Sequence, residues 1–229
     1  MEIIGHRGCA EHVPENTLLA IREAARRLSA VEIDVRRCGS GELVVFHDAT
    51  LDRVTDAEGR LSETPLSELR ELSVCDSGEP IPSLEAALRT VPDGVTVQLE
   101  LKEPDIAVET LQLATAAGSD VRVSSFLPEA IEEIETSHLD VPNGLLFEQG
   151  PRTNLSRAVD LDCTHVFPHY ELCLETDVVS AARKHGLDVI AWKAARTVDD
   201  VRALRDVGVD GVTADRWDIA PQTRSASDD

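Results

Sequence analysis

Residues 31–35 read Val-Glu-Ile-Asp-Val, and residues 99–102 read Leu-Glu-Leu-Lys. In an extended strand, residues two apart share a face, so Glu32 points with Asp34 and Glu100 with Lys102. Carboxylates gathered at one place repel one another unless a cation joins them. An all-oxygen set of Glu32, Asp34 and Glu100 suits one hard divalent ion, Mg²⁺ or Ca²⁺, with Mn²⁺ as a further candidate. Two pairs at strand spacing, each flanked by aliphatic residues, are a poor match to solvated surface acids.

Two histidines stand in settings of comparable interest. His6 follows the apolar run Ile3-Ile4 and lies between Gly5 and Gly8, which let the backbone turn sharply and approach a ligand. His47 ends Leu43-Val44-Val45-Phe46 and precedes Asp48, a candidate to orient its ring. Imidazoles titrate near neutral pH and suit proton exchange with alcohol oxygens. Arg7 and Lys102 add cations that fit a phosphate, Arg7 through its two-pronged guanidinium. His12, His138, His165, His169 and His185 lack such settings and are assigned surface or structural places.

These side chains need a frame that brings strand ends together. Strands are expected at Glu2–Gly5, Val31–Val35, Val95–Leu101, Val121–Ser124, Gly144–Phe147, Thr164–Phe167, Asp188–Trp192 and Gly211–Thr213. Amphipathic helices are expected between them, among others at Thr17–Leu28, Ser83–Val91, Ile106–Ala117, Pro128–Thr136, Thr176–His185 and Val198–Val207. Ser83 precedes one helical run, and Gly186 and Gly208 follow two others, as helix ends require. Strand and helix alternating about eight times implies parallel pairing and an α/β fold, the (β/α)8 TIM-type barrel, with a doubly wound open sheet as the alternative. In a barrel, the C-terminal strand ends form the mouth where sites are built.

One connection exceeds a simple βα unit. After Val35 the chain turns near Cys38–Gly41, forms an extra strand at Leu43–Phe46 and runs through a polar stretch to Leu84. Inserts of this length in compact barrels are often functional. The expected organisation is a single domain over residues 1–221, with an insertion at about 38–83 and a disordered polar tail at 222–229.

Composition narrows the function. The chain has 229 residues and carries 43 acidic against 22 basic residues, a formal charge of −21, with Lys102, Lys184 and Lys193 its only lysines. Such a field repels nucleic acid and anionic membranes. No run nears the ~20 apolar residues of a membrane span, and the first expected strand leaves no room for a leader, so the cytoplasm is the expected compartment. Five scattered cysteines without C-x-x-C spacing offer neither a zinc set nor a disulfide framework. Acid-rich, lysine-poor surfaces stay hydrated in concentrated salt, which points to a halophilic protein. Melting temperature is therefore expected to rise from low to molar salt, because at 1 M charges are screened over roughly 3 Å. A flat or falling trend, read by differential scanning fluorimetry, would refute the halophile reading.

The order of His-Arg-Gly (6–8), Pro-Glu-Asn-Thr (14–17), Glu-Ile-Asp-Val (32–35), Val-Val-Phe-His-Asp (44–48), Leu-Asp-Arg (51–53), Pro-Ile-Pro-Ser-Leu-Glu-Ala-Ala-Leu (80–88), Leu-Glu-Leu-Lys (99–102), Trp192 and Gly-Val-Asp-Gly-Val (208–212) resembles the glycerophosphodiester phosphodiesterase family over nearly the whole chain. The resemblance implies a TIM-type barrel that hydrolyses a small-molecule phosphodiester with a bound divalent cation, releasing an alcohol and glycerol phosphate. It implies His6 and His47 as the acid/base pair and Glu32, Asp34 and Glu100 as metal ligands. By the same likeness Arg7 and Lys102 contact phosphate, Trp192 walls the glycerol, and Glu15 supports the first loop. Two departures stand out. Trp192 continues into Lys193-Ala194-Ala195 where the family has Thr-Val-Asn, and Ala214-Asp215 replaces Thr-Asp. The alternatives are a related phosphodiesterase acting on lysophospholipid or another headgroup, and a non-catalytic phosphate-binding barrel. The sequence leaves the oligomeric state open.

Overall fold

The computed structural model describes residues 1–193 and 197–219. Among these residues, nine strands form one sheet: β1 (Glu2–Gly5), β2 (Ala30–Arg37), β3 (Leu43–Val45), β4 (Thr96–Leu101), β5 (Val121–Ser125), β6 (Asn143–Phe147), β7 (His165–Pro168), β8 (Asp188–Ala191) and β9 (Gly211–Ala214). Eight pair in parallel, and β1 joins both β2 and β9, which closes the barrel and excludes the open sheet. β3 lies outside the ring as an antiparallel partner of β2, pairing Val35 with Val45.

Alternation along β2 builds both layers of the core. Val31, Ile33 and Val35 are buried in the large cluster shared with the helices, while Glu32 and Asp34 alternate with them. Ile4, Ala30, Leu146, Phe167 and Ile190 form a separate buried cluster with Trp192 packed on it. This is the apolar filling expected inside a small barrel.

Among the described residues, nine α-helices accompany the strands: α1 (Leu18–Ala25), α2 (Leu66–Leu69), α3 (Leu84–Thr90), α4 (Ala107–Ala117), α5 (Pro128–Thr136), α6 (Pro151–Asp160), α7 (Tyr170–Glu175), α8 (Val178–Lys184) and α9 (Val198–Val207). Their ends follow local chemistry. Thr17 and Ser83 each accept a first-turn amide, and Thr197 and Asp200 form a reciprocal capping box. Gly208 ends α9 in the left-handed conformation. Thr17 thus caps the first helix rather than joining it, and that helix is shorter than its apolar pattern suggests. Among the described residues, no helix is long and apolar enough to cross a membrane.

The long connection is not merely polar. Cys38, Val44, Phe46, Leu51, Val54, Leu61, Leu66, Leu69, Val74 and Ile81 form their own buried cluster. Its apolar residues fall at irregular intervals, so neither strand nor helix periodicity exposes them. The expected tail, 222–229, and the departure at Ala194-Ala195 lie outside the described residues.

Candidate active site

The site lies at the C-terminal ends of the barrel strands. His6, Arg7, His47, Glu100, Lys102, Phe126, Trp192, Lys193, Thr213 and Asp215 line one cavity of about 220 Å³. All but His47 lie at or just after the C-terminal end of a parallel barrel strand, so strand direction delivers them to one mouth, while His47 follows β3, which runs back antiparallel along β2.

Register assembles the carboxylates. β2 and β4 pair with Asp34 opposite Glu100 and Glu32 opposite Gln98. Oxygens of Glu32, Asp34 and Glu100 consequently lie within 4.8 Å of one another, and all three residues are buried. Burial and the neighbouring charges of Asp34 and Glu100 push the Glu32 carboxyl up to about 8. Burial likewise raises Glu100, with Asp34 adding to it. Burial opposes ionisation of Asp34 too, but Lys102, Arg7 and His47 overcome it and hold Asp34 well below the usual carboxylate range. Without a cation, this cluster sheds charge by protonation.

The donor set fits a hard cation. Glu32 Oε2 accepts the Arg7 amide at 2.8 Å, yet its Oε1 is buried with no hydrogen-bond partner among the described residues. A buried carboxylate oxygen left unpaired is costly. A divalent ion would satisfy it and relieve the mutual repulsion at once.

The first loop is built by close packing. After β1 the chain makes a short 3₁₀ turn over His6–Gly8. Gly8 sits at φ +78°, and a Cβ there would come within 2.6 Å of the Ala20 backbone. Only glycine lets the loop lie against α1 in this way. The Pro-Glu-Asn-Thr turn then doubles back. Asn16 donates its amide hydrogen to Arg7 O at 2.9 Å, and its side-chain Nδ2 donates to Asp34 Oδ2 at 2.8 Å. Glu15 Oε1 accepts from Arg7 Nη1 at 2.9 Å.

The cations face carboxylates. Arg7 Nε lies 3.3 Å from Asp34 Oδ2, and Lys102 Nζ lies 3.1 Å from Asp34 Oδ1 and also bonds Glu100. Lys193 donates its amide to Thr213 Oγ1 at 3.2 Å, and among the described residues its side chain forms no salt bridge.

Each imidazole is held by an acid. His6 Nδ1 donates to Asp215 Oδ1 at 2.6 Å, and His47 Nδ1 donates to Asp48 Oδ1 at 2.6 Å. Both contacts place a proton on Nδ1 and leave Nε2 as the ring atom for proton exchange. The surroundings separate the two rings. Burial would lower His6, but the Asp215 bond and the Glu32 charge raise it above its ordinary value. Burial lowers His47, and together with Lys102 and Arg7 it outweighs the opposing pull of Asp34 and Asp48.

An aromatic wall closes one side. Trp192 is half-buried, donates Nε1–H to Phe147 O at 3.1 Å and meets Phe126 edge-on, centroids 5.2 Å apart. His169 packs its ring edge against Trp192 at 4.9 Å. Phe126 is 42% exposed, unusual for a ring of its size.

The structure brings His6, Arg7, Glu15, Glu32, Asp34, His47, Glu100, Lys102 and Trp192 into this one region. Sequence reasoning did not assign Asn16, Arg53, Phe126, Thr213 or Asp215 to it. The place of Asp215, directly after the last barrel strand, is the signal that could have found it.

The family model for the glycerophosphoryl diester phosphodiesterase family matches residues 6–219. A glycerophosphodiester phosphodiesterase of Caldanaerobacter subterraneus is 28% identical over 93% of both chains. Human glycerophosphodiester phosphodiesterase 1 is 34% identical over 62% of this chain and 47% of its own. Among solved structures, an Oleispira antarctica phosphodiesterase in complex with the product sn-glycerol-3-phosphate superposes with a TM-score of 0.86 at 28% identity, covering 96% of this chain and 95% of that one. A second, from Galdieria sulphuraria, gives a TM-score of 0.84 at 26% identity over 93% of each chain. With a closed parallel barrel, an acid cluster at its mouth and a family match along nearly its whole length, the chain belongs to the glycerophosphoryl diester phosphodiesterase family.

Proposed function

We propose that the protein hydrolyses soluble glycerophosphodiesters to an alcohol and glycerol phosphate, with residues 1–221 acting as one catalytic unit. The observation that carries this reading is the single cavity lined by two acid-held imidazoles beside the buried Glu32–Asp34–Glu100 cluster. Glu32, Asp34 and Glu100 would hold one divalent cation, Mg²⁺, Ca²⁺ or Mn²⁺. Bound there, the ion would supply a Lewis acid to offset charge growing on the phosphoryl oxygens.

His47 is the base in this proposal. Kept neutral by burial and by the cations Lys102 and Arg7, its Nε2 takes the proton from the attacking hydroxyl. That hydroxyl is the glycerol oxygen adjacent to the ester, so its attack on phosphorus forms a cyclic phosphate. His6, held protonated by Asp215, donates from Nε2 to the departing alkoxide as the phosphorus–oxygen bond breaks. Water then opens the ring, with the two imidazoles exchanging tasks. Arg7 and Lys102 bind phosphate oxygens, Glu15 holds Arg7, and Trp192 with Phe126 walls the organic group.

A substrate panel tests the reading. Glycerophosphodiesters with choline, ethanolamine, serine and glycerol headgroups, and the matching lysophospholipids, are assayed in high salt with cation removed and restored. Release of glycerol phosphate from the soluble diesters is expected. Turnover confined to lysophospholipids would assign the lipid-directed alternative, and phosphate binding without turnover would make the barrel non-catalytic.

A further inference from the structure

The long connection between β3 and α3, which already carries His47 and Asp48, sends a further side chain, Arg53, into the functional region. Arg53 donates Nη1–H to Glu15 Oε2 at 2.9 Å, Nη2–H to Glu15 Oε1 at 2.6 Å and Nε–H to Asp48 Oδ2 at 2.5 Å. The two carboxylates it joins belong to different loops with different dependants. Glu15 holds Arg7, and Asp48 holds His47. A five-member chain therefore runs Arg7–Glu15–Arg53–Asp48–His47. Each carboxylate is bonded on both sides by a cation or an imidazole.

From this geometry we infer that Arg53 is a positioning residue for the phosphodiesterase reaction, a planar fork that sets the spacing between the His47 base and the Arg7 guanidinium. The inference rests on the function proposed above. The physics favours this division of labour. Without Arg53, Glu15 and Asp48 would be two carboxylates on separate loops with no direct link between them. The fork supplies three charge-assisted hydrogen bonds in fixed directions, a geometry an ammonium cannot copy. Its base is firm, because Leu51 and Val54 on either side are buried in the connection's own apolar cluster. The backbone of His47 is pinned separately, its carbonyl accepting from Arg36 Nε at 2.7 Å. Thus Arg36 fixes where the histidine sits, and Arg53, through Asp48, fixes how its ring is turned. This gives the connection a chemical task at the barrel mouth besides covering it.

Arg53→Gln and Arg53→Lys test the inference in the full-length protein. Arg53→Gln is expected to lower kcat about 10- to 100-fold, the usual result of small misplacement of reacting groups. Arg53→Lys should recover only part of that loss, since one ammonium cannot reach both carboxylates in fixed directions. The decisive readout is the His47 ring, followed by ¹⁵N NMR titration and assigned with His47→Ala. The charged groups acting on that ring are Asp34, Lys102, Arg7 and Asp48. With Arg53 gone, Asp48 acts on the imidazole undiluted by a cation, so the His47 titration should move to higher pH. The acidic limb of kcat/KM should move with it. A fall in melting temperature with an unmoved His47 titration and unmoved pH limb would overturn the inference and leave Arg53 a purely structural tie. If no phosphodiester is turned over at all, the NMR shift still reports on the link to His47. Failure of the function and failure of the positioning role are thereby told apart.

Discussion

His6→Ala and His47→Ala are each expected to reduce turnover of a glycerophosphodiester by at least ~100-fold, the usual contribution of a positioned acid or base. The double variant should be little worse than either single one, because residues that act as a unit are not additive. Leaving-group chemistry distinguishes the roles. A nitrophenyl diester departs without protonation, so it should restore much of the lost rate to His6→Ala and little to His47→Ala. The opposite pattern would reverse the assignment, and near-native turnover in both variants would remove it. The pH profile carries the same sign. A base must be unprotonated, so kcat/KM should rise as pH climbs through the His47 value, which burial and nearby cations set below the ordinary 6.5. An acid must be protonated, so the rate should fall as pH climbs through the His6 value, which lies above it. The result is a bell with limbs on either side of that reference, read as the apparent values of the free protein.

Removal of the divalent cation is expected to cost roughly 10³-fold or more in rate, since Lewis-acid stabilisation of the transition state is worth several kcal/mol. Activity should vanish in exhaustively chelated buffer and return with Mg²⁺, Ca²⁺ or Mn²⁺, in an order that identifies the preferred ion. A second readout is independent of turnover. A ligand that binds only the folded state stabilises it by about 2.7 kcal/mol at a hundred times its dissociation constant, so the melting temperature should rise with added cation. Glu32→Ala and Glu100→Ala should blunt that rise. Because Glu32 holds its proton up to about 8 in the ion-free protein, binding must displace it. Apparent affinity should consequently increase with pH through the neutral range, with proton release visible by calorimetry in buffers of different ionisation heat. Full activity of either variant under chelation would sink the metal assignment.

Much of this site was legible as residue types at short spacing. Glu32 and Asp34 share a face because a strand repeats every two residues, and Val31, Ile33 and Val35 mark the opposite face as buried. The helix cap at Ser83 is equally local, set by a side chain and an amide within one turn, while Thr17, expected inside the first helix, and Thr197, not singled out, are caps that the structure added. The glycine in His-Arg-Gly was legible too, although the obstacle that demands it, the Ala20 backbone, was not.

Closure and register came only from the tertiary structure. Periodicity identifies strands but says nothing of which neighbour each will pair, and eight βα units can lie open or close. The β1–β9 and β1–β2 ladders decided this, and closure brings Asp215 to His6 across 209 positions. The β2–β4 register then sets Asp34 against Glu100 rather than one residue away, where alternation would have turned the glutamate to the helices. Arg53 shows the limit most clearly. It lies in a connection with no regular period, and its bonds to Glu15 and Asp48 depend on two loops meeting above the barrel. Sequence determined the chemistry that each segment could offer, because that chemistry is local. Which groups meet depends on hydrogen-bond ladders and packing between distant segments, and only the closed barrel decides it.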